Sequence, residues 1–152
     1  MKRILLVLFM VLTMFPLTIS VFADTSMDGT WQIKESLCVY YSGYKSCGND
    51  TSTVVISDNM VYSNDEYIGS VSVSGNTVFF NYSEDYLKSS IEESLQDSGY
   101  DAEVQSANVT YRGLLSGNKI NNGKIRGNVK CLIQGYTINI KYKGTFKARR
   151  KE

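Results

Sequence analysis

Apolar and polar positions alternate with a period of two through most of this 152-residue chain. That period belongs to strands with one dry face and one wet face. Trp31, Ile33, Leu37, Val39 and Tyr41 share a face in the first such run, with Glu35 as the exception. "STVVIS", "MVYS", "YIGSVSVS" and "TVFFNYS" read as further strands, with turns at Asp58-Asn59, Ser63-Asn64-Asp65 and Gly75-Asn76. Ala102 to Leu115 reads as another strand. "SGN" and "NNG" are turn signals, and "KIRGNVKCLIQ" continues from them to Gly135. The last run has the cleanest alternation. Ile138, Ile140, Tyr142, Phe146 and Ala148 lie on one side, and Thr137, Asn139, Lys141, Lys143, Thr145 and Lys147 on the other. Gly144 falls on the dry side, where a bend or a close backbone approach uses a residue without Cβ.

One segment breaks the rhythm. "SEDYLKSSIEESLQDSG" carries Leu87, Ile91 and Leu95 at helical spacing, Ser83 as N-cap, Glu84 and Asp85 in the first turn, and Gly99 past the end. It predicts one amphipathic helix, packed with its acidic residues against the basic side of the late strands or laid as a lid over an open end. About eight short strands with one inserted helix predict a mostly β protein, an antiparallel up-and-down β-barrel. Closure into a barrel removes the exposed edges a small β-protein must otherwise protect.

The first residues alter the picture of where this domain works. Lys2 and Arg3 precede an apolar run interrupted by Pro16, and Val21 and Ala23 occupy the −3 and −1 positions of a small-residue cleavage site. Residues 1–23 therefore read as a signal peptide, against the alternative of an uncleaved anchor helix. Residues 24–152 read as a single exported domain with no integral membrane segment after cleavage, secreted or periplasmic. Charge is unevenly spread. Asp24 to Tyr111 holds 3 basic and 14 acidic residues, and Arg112 to Glu152 holds 11 basic and 1 acidic. Either the halves lie side by side and compensate, or one face attracts anions.

Cys38, Cys47 and Cys131 allow three pairings. "CVYYSGYKSC" is symmetric about Ser42-Gly43, and a two-residue hairpin turn there sets Cys38 opposite Cys47. That pair is the expected disulfide. Cys131 then remains as a small buried hydrophobe beside Val129 and Ile133.

The chain contains no histidine, which excludes Ser-His and Cys-His catalysis and His-ligated metals. Adjacent carboxylates such as Glu92-Glu93 diverge on any regular element, so none forms an acid/base pair. The expectation is a protein that is not an enzyme, with no catalytic residue, no metal and no cofactor. Glu35 falls on the dry face, where a bulge must turn it out or an Arg or Tyr hydroxyl must meet it. Its functional alternative is a polar anchor for a ligand. Tyr40, Tyr41 and Tyr44 cluster at the hairpin tip, a candidate binding loop. The outward row Lys141, Lys143, Lys147 and Arg149 is suited to phosphates or an anionic membrane surface, but near-neutral overall charge argues against nucleic acid as a partner.

"DGTW" at the start of the first strand resembles the Gly-x-Trp opening of the calycin group, the lipocalins and fatty-acid-binding proteins. "GTFKARRKE" resembles the closing strand of small lipocalin-like bacterial exported proteins. The resemblance covers the two chain ends. It implies that Trp31 plugs one end of a barrel and that Arg150 packs across its ring, rather than Trp31 touching a ligand. No second lipocalin motif is present, and the helix lies mid-chain, where lipocalins place it late. The expected function is an exported, non-enzymatic binding protein holding a small hydrophobic ligand against Glu35, Ile138, Ile140 and Tyr142. The alternative is a protein-interaction module with a filled barrel, an inhibitor or envelope-associated factor, that meets a protein partner through its loops.

Overall fold

The computed structural model describes residues 26–151. Eight strands follow in order: β1 (Gly29–Tyr41), β2 (Tyr44–Ser57), β3 (Met60–Ser63), β4 (Glu66–Ser74), β5 (Thr77–Tyr82), β6 (Ala102–Ser116), β7 (Lys119–Ile133) and β8 (Tyr136–Arg150). Each pairs antiparallel with its neighbour, and β8 pairs back onto β1. The chain is a closed up-and-down barrel with one helix, α1 (Glu84–Asp97), between β5 and β6, as the alternation predicts. The expected signal segment and its cleavage site lie outside the described residues. Among the described residues no helix is long and apolar enough to cross a membrane.

Local chemistry fixes the first hairpin. Ser42 (φ 45°) and Gly43 (φ 83°) supply the positive φ angles of a tight two-residue turn. The turn sets Tyr41 opposite Tyr44 and Cys38 opposite Cys47. The two cysteines form a disulfide with Cα atoms 4.1 Å apart, the close spacing of a non-hydrogen-bonded pair. Cys131 is a free, buried thiol on β7.

Strand lengths are unequal, and this shapes the molecule. β6, β7 and β8 have 15 residues each, whereas β3 has 4 and β5 has 6. β3 reaches only Val55–Ser57 of β2, and β5 only Thr110–Leu114 of β6 among its paired positions beyond Asn81. The ring of strands is therefore complete at one end alone. There Trp31, Ile56, Val78 and Ile120 are sealed from solvent, and Met27 crosses beneath them, also buried. At the other end the long strands form an open trough, and β2 from Tyr44 to Val54 pairs with β1 only.

Helix α1 occupies the β6 side of that opening. The Ser83 hydroxyl caps it by accepting from the Tyr86 amide, and Glu84 and Asp85 sit in its first turn. Leu87 and Ile91 pack on Val104, Ala107, Val129 and Cys131. The Val104 N–H, which β5 is too short to reach, donates to Glu92 Oε1 at 2.7 Å. The expected packing of helix acids onto the basic strands is not observed. The ion pair formed among the described residues, Lys88–Glu84 at 3.1 Å, stays within α1, because the inner face of β6–β8 takes the apolar stripe and the β6 edge takes Glu92.

One turn signal is also corrected. "NNG", Asn121–Gly123, lies inside β7 as a bulge, with Asn122 at φ 51° and a register shift between Ile120 and Gly123. Gly123 faces the Phe146 ring so closely that any Cβ would collide with it, and the bulge makes that contact without ending the strand. Gly144 is used as the alternation suggests, since a Cβ there would strike the Ser36 carbonyl of β1.

Candidate functional site

At the sealed end Trp31 is fully buried. Its indole N–H donates to the Met27 carbonyl at 2.7 Å, the partner a buried indole needs. Arg150 stands opposite it in the β1–β8 register, with the guanidinium carbon 5.1 Å from the ring centre. The same guanidinium donates through Nη2 to the Ser26 carbonyl. The N-terminal segment, β1 and the end of β8 are thus tied at one point. A ligand has no access to this indole.

Midway up, polar groups interrupt the apolar interior. Glu35, half-buried on the inner register of β1, accepts a hydrogen bond from the Tyr111 hydroxyl at 2.6 Å. Tyr82 lies 5.4 Å from the Tyr111 ring and stacks with Tyr86 of α1 at 6.1 Å. Burial pushes the Tyr82 phenol up to about 12, with the Tyr111 hydroxyl pulling the other way. Burial also raises the Tyr111 phenol, followed by the charges of Tyr82 and Glu35 beside it. Asp50 stands directly opposite Glu35 in the β1–β2 register. Two carboxylates therefore share this level of the inner face.

The space beside Tyr82 and Tyr111 is small. A cavity of about 20 Å³ is bounded by Ile33, Val54, Ile68, Phe80, Tyr82 and Tyr111, room for about one water. Ile138, Ile140 and Tyr142 do not line it. They lie higher on β8, partly exposed on the floor of the open trough, where Ile140 and Tyr142 pack beside the residues that hold α1. Burial pushes the Tyr142 phenol up, with a smaller contribution from Cys131. Val39 pairs with Tyr142, and Tyr41 with Ile140, in the same register. The trough thus has an apolar floor from β8 and β1, a helical wall bearing Leu87 and Ile91, and carboxylates at its deep end.

The tyrosines of the hairpin tip divide. Tyr41 and Tyr44 stack at 5.8 Å on the trough side, 42% and 69% exposed. Tyr40 is on the outer face, beneath the ammonium groups of Lys45 and Lys143 at 5.6 and 5.7 Å. The structure therefore brings Glu35, Ile140, Tyr142, Tyr41 and Tyr44 to one concave face and leaves Tyr40 outside it. Sequence reasoning did not single out Asp50, Tyr82 and Tyr111. Asp50 was within reach, because the hairpin register that pairs Cys38 with Cys47 also pairs Glu35 with Asp50. Tyr111 meets Glu35 only through barrel closure, which no local pattern reports. Among the described residues no group of three or more His, Cys, Asp or Glu is placed to hold a metal ion.

No protein-family model, curated protein or solved structure matches the chain. Its class rests on architecture: an eight-stranded antiparallel barrel, consistent with a lipocalin-like fold, sealed at one end by an indole under a guanidinium and open at the other.

Proposed function

We propose that the protein is an exported, non-enzymatic binding protein of lipocalin-like kinship whose ligand lies in the open trough, with its apolar part along Val39, Ile138, Ile140 and Tyr142. One observation carries this reading. The inner face of β1 and β8 is fully buried at Trp31 and Phe146 yet half-exposed at Ile138, Ile140 and Tyr142. Apolar surface kept accessible in a concave site marks a place of binding. The Cys38–Cys47 disulfide fits an oxidising compartment outside the cytosol.

The carboxylates select the ligand's polar end. Glu35 and Asp50 repel a fatty-acid carboxylate and favour an ammonium or hydroxyl group. A long-chain amine or alcohol is therefore the preferred class. Titration calorimetry with dodecylammonium, dodecanol and dodecanoate, each below its micellar concentration, tests this order. The ammonium is expected to bind tightest and the carboxylate weakest. Ile140→Asn is expected to weaken the ammonium at least about tenfold, the scale of burying one large side chain. Tightest binding of dodecanoate, or no binding of any of the three, would overturn the assignment.

The unpaired edge of β2 favours a second reading, a polypeptide partner. An extended segment could add to Tyr44–Val54 as a further strand and place alternate apolar side chains in the trough. Protection of the β2 amides from hydrogen exchange by a partner protein, with no effect of the amphiphiles, would select it.

A further inference from the structure

The outer face of β7, β8 and β1 has no role in the trough, and its charge is unbalanced. Lys141, Lys143, Lys147 and Arg149 run along the wet side of β8. The register sets Lys34 of β1 opposite Lys147, Arg126 of β7 opposite Lys143, and Lys119 of β7 opposite Arg149. Directly opposed like charges destabilise a sheet. No carboxylate stands on the outward register of these three strands. Among the described residues none of these cations has an ion-pair partner, since the ion pair formed is Lys88–Glu84 on α1. The acidic residues of the first half of the chain do not compensate this face. Among the described residues they lie on α1, at Asp28 before β1, in the β2–β3 and β3–β4 turns and at the start of β4, at Asp101 and Glu103 at the start of β6, and on the inner register at Glu35 and Asp50.

The face is also shaped. The β7 bulge at Asn122–Gly123 helps border a groove of about 800 Å³ whose lining includes Lys34, Lys124 and Lys147 with Ser36, Thr51 and Thr145 on the outward register, and Glu35 and Asp50 on the inward register, where Glu35 accepts from Tyr111. On the outward register neutral hydroxyl groups thus alternate with ammonium groups. We propose that the outward, cationic side of this face binds a linear anionic glycan, with charged substituents on the lysines and sugar hydroxyls on the serine and threonines.

The same surface disfavours the other polyanions. Nucleic-acid single strands use open aromatic platforms for base stacking, and the Tyr40 ring is already covered by Lys45 and Lys143. An anionic membrane is flat and rewards exposed apolar side chains. None of the large exposed hydrophobic residues stands on the outward register of β7, β8 or β1.

Heparin serves as the probe glycan, with dextran as its uncharged control. Calorimetric titration of the whole protein at 50 mM NaCl is expected to show heparin binding and no dextran binding. The logarithm of the affinity should fall linearly with the logarithm of salt as counterions are released, the behaviour established for nucleic-acid polyanions. Lys34→Gln/Lys124→Gln/Lys147→Gln is expected to weaken heparin at least tenfold, while Lys88→Gln leaves it unchanged. These are exposed side chains, and circular dichroism confirms that each variant folds. Should the triple variant not fold, the single variant Lys124→Gln carries the same prediction with a threefold loss. Absence of heparin binding to the folded wild type overturns the proposal, as does affinity indifferent to these lysines. So does tighter binding to single-stranded DNA, or binding to vesicles containing phosphatidylglycerol without binding to heparin.

Discussion

Trp31 unites three contacts that a smaller residue cannot make: a filled barrel base, a hydrogen bond to Met27 and a face for Arg150. Trp31→Ala is expected to destabilise by about 3–5 kcal/mol, as large core truncations do. The cation–π part alone, isolated by a double-mutant cycle with Arg150→Met, is expected at about 1 kcal/mol. Denaturant melts of the four proteins check both numbers. An unchanged midpoint for Trp31→Ala would remove the plug role. Tyr82 offers a pH test with a definite sign. Its folded pKa is about 12 against a reference of 10.0. The neutral phenol is therefore favoured in the fold, and its contribution is intact below pH 10. Above pH 10 the unfolded chain releases the proton first, so stability falls between pH 10 and 12. The loss reaches at most about 2 kcal/mol. Tyr82→Phe is expected to flatten that fall, leaving the residual slope of Tyr111, whose phenol is raised in the same sense. Chemical unfolding at pH 8, 10 and 11 measures it.

The elements most legible in the sequence are those with local causes. The β1–β2 hairpin followed from Ser42-Gly43 and the symmetry around it, and α1 from Ser83, its acidic first turn and the spacing of Leu87 and Ile91. The β7 bulge was misread as a turn, because Asn-Gly marks positive φ without saying whether the chain reverses. The decisive partner was Phe146, two strands' length away in sequence. Parity alone placed Glu35 and Ile140 on the inner face. That this face stays open at one end depends on β3 and β5 being short, and only the assembled ring reveals it. The same shortness makes the hairpin tip dependent on its disulfide, since Tyr44–Val54 has β1 as its strand partner and nothing from β3. Cys38→Ala/Cys47→Ala is expected to cost about 2 kcal/mol, given the short loop that the bridge closes. Amide exchange should accelerate chiefly at residues 38–50, with the Trp31 end protected as before. Uniform acceleration around the barrel would show instead that the bridge supports the whole fold.

Taken as a whole, the molecule keeps its charges apart. The chain carries 16 basic and 15 acidic residues, yet the described residues join them in an ion pair on α1 alone. Cations collect on the outer face of β7, β8 and β1, where Lys34–Lys147 and Arg126–Lys143 oppose each other directly. Near neutrality, a protein built for stability would interleave these signs. Segregation leaves a repulsive term in the fold, and that term is sensitive to salt. At 10 mM ionic strength the screening length is about 30 Å, longer than the barrel face is wide, and at 0.15 M it is about 8 Å. Repulsion among the cations is thus felt in full at low salt and largely screened at physiological salt. The melting temperature is expected to rise by a few degrees between 10 mM and 0.15 M NaCl, corresponding to about 0.5–1 kcal/mol for a domain of this size. Lys34→Gln/Arg126→Gln, which removes one member of two opposed pairs, should raise the melting temperature at 10 mM NaCl and shrink the salt response. A melting temperature that falls with added salt would mean that attraction, not repulsion, dominates this face. The cations would then already have their partners within the protein.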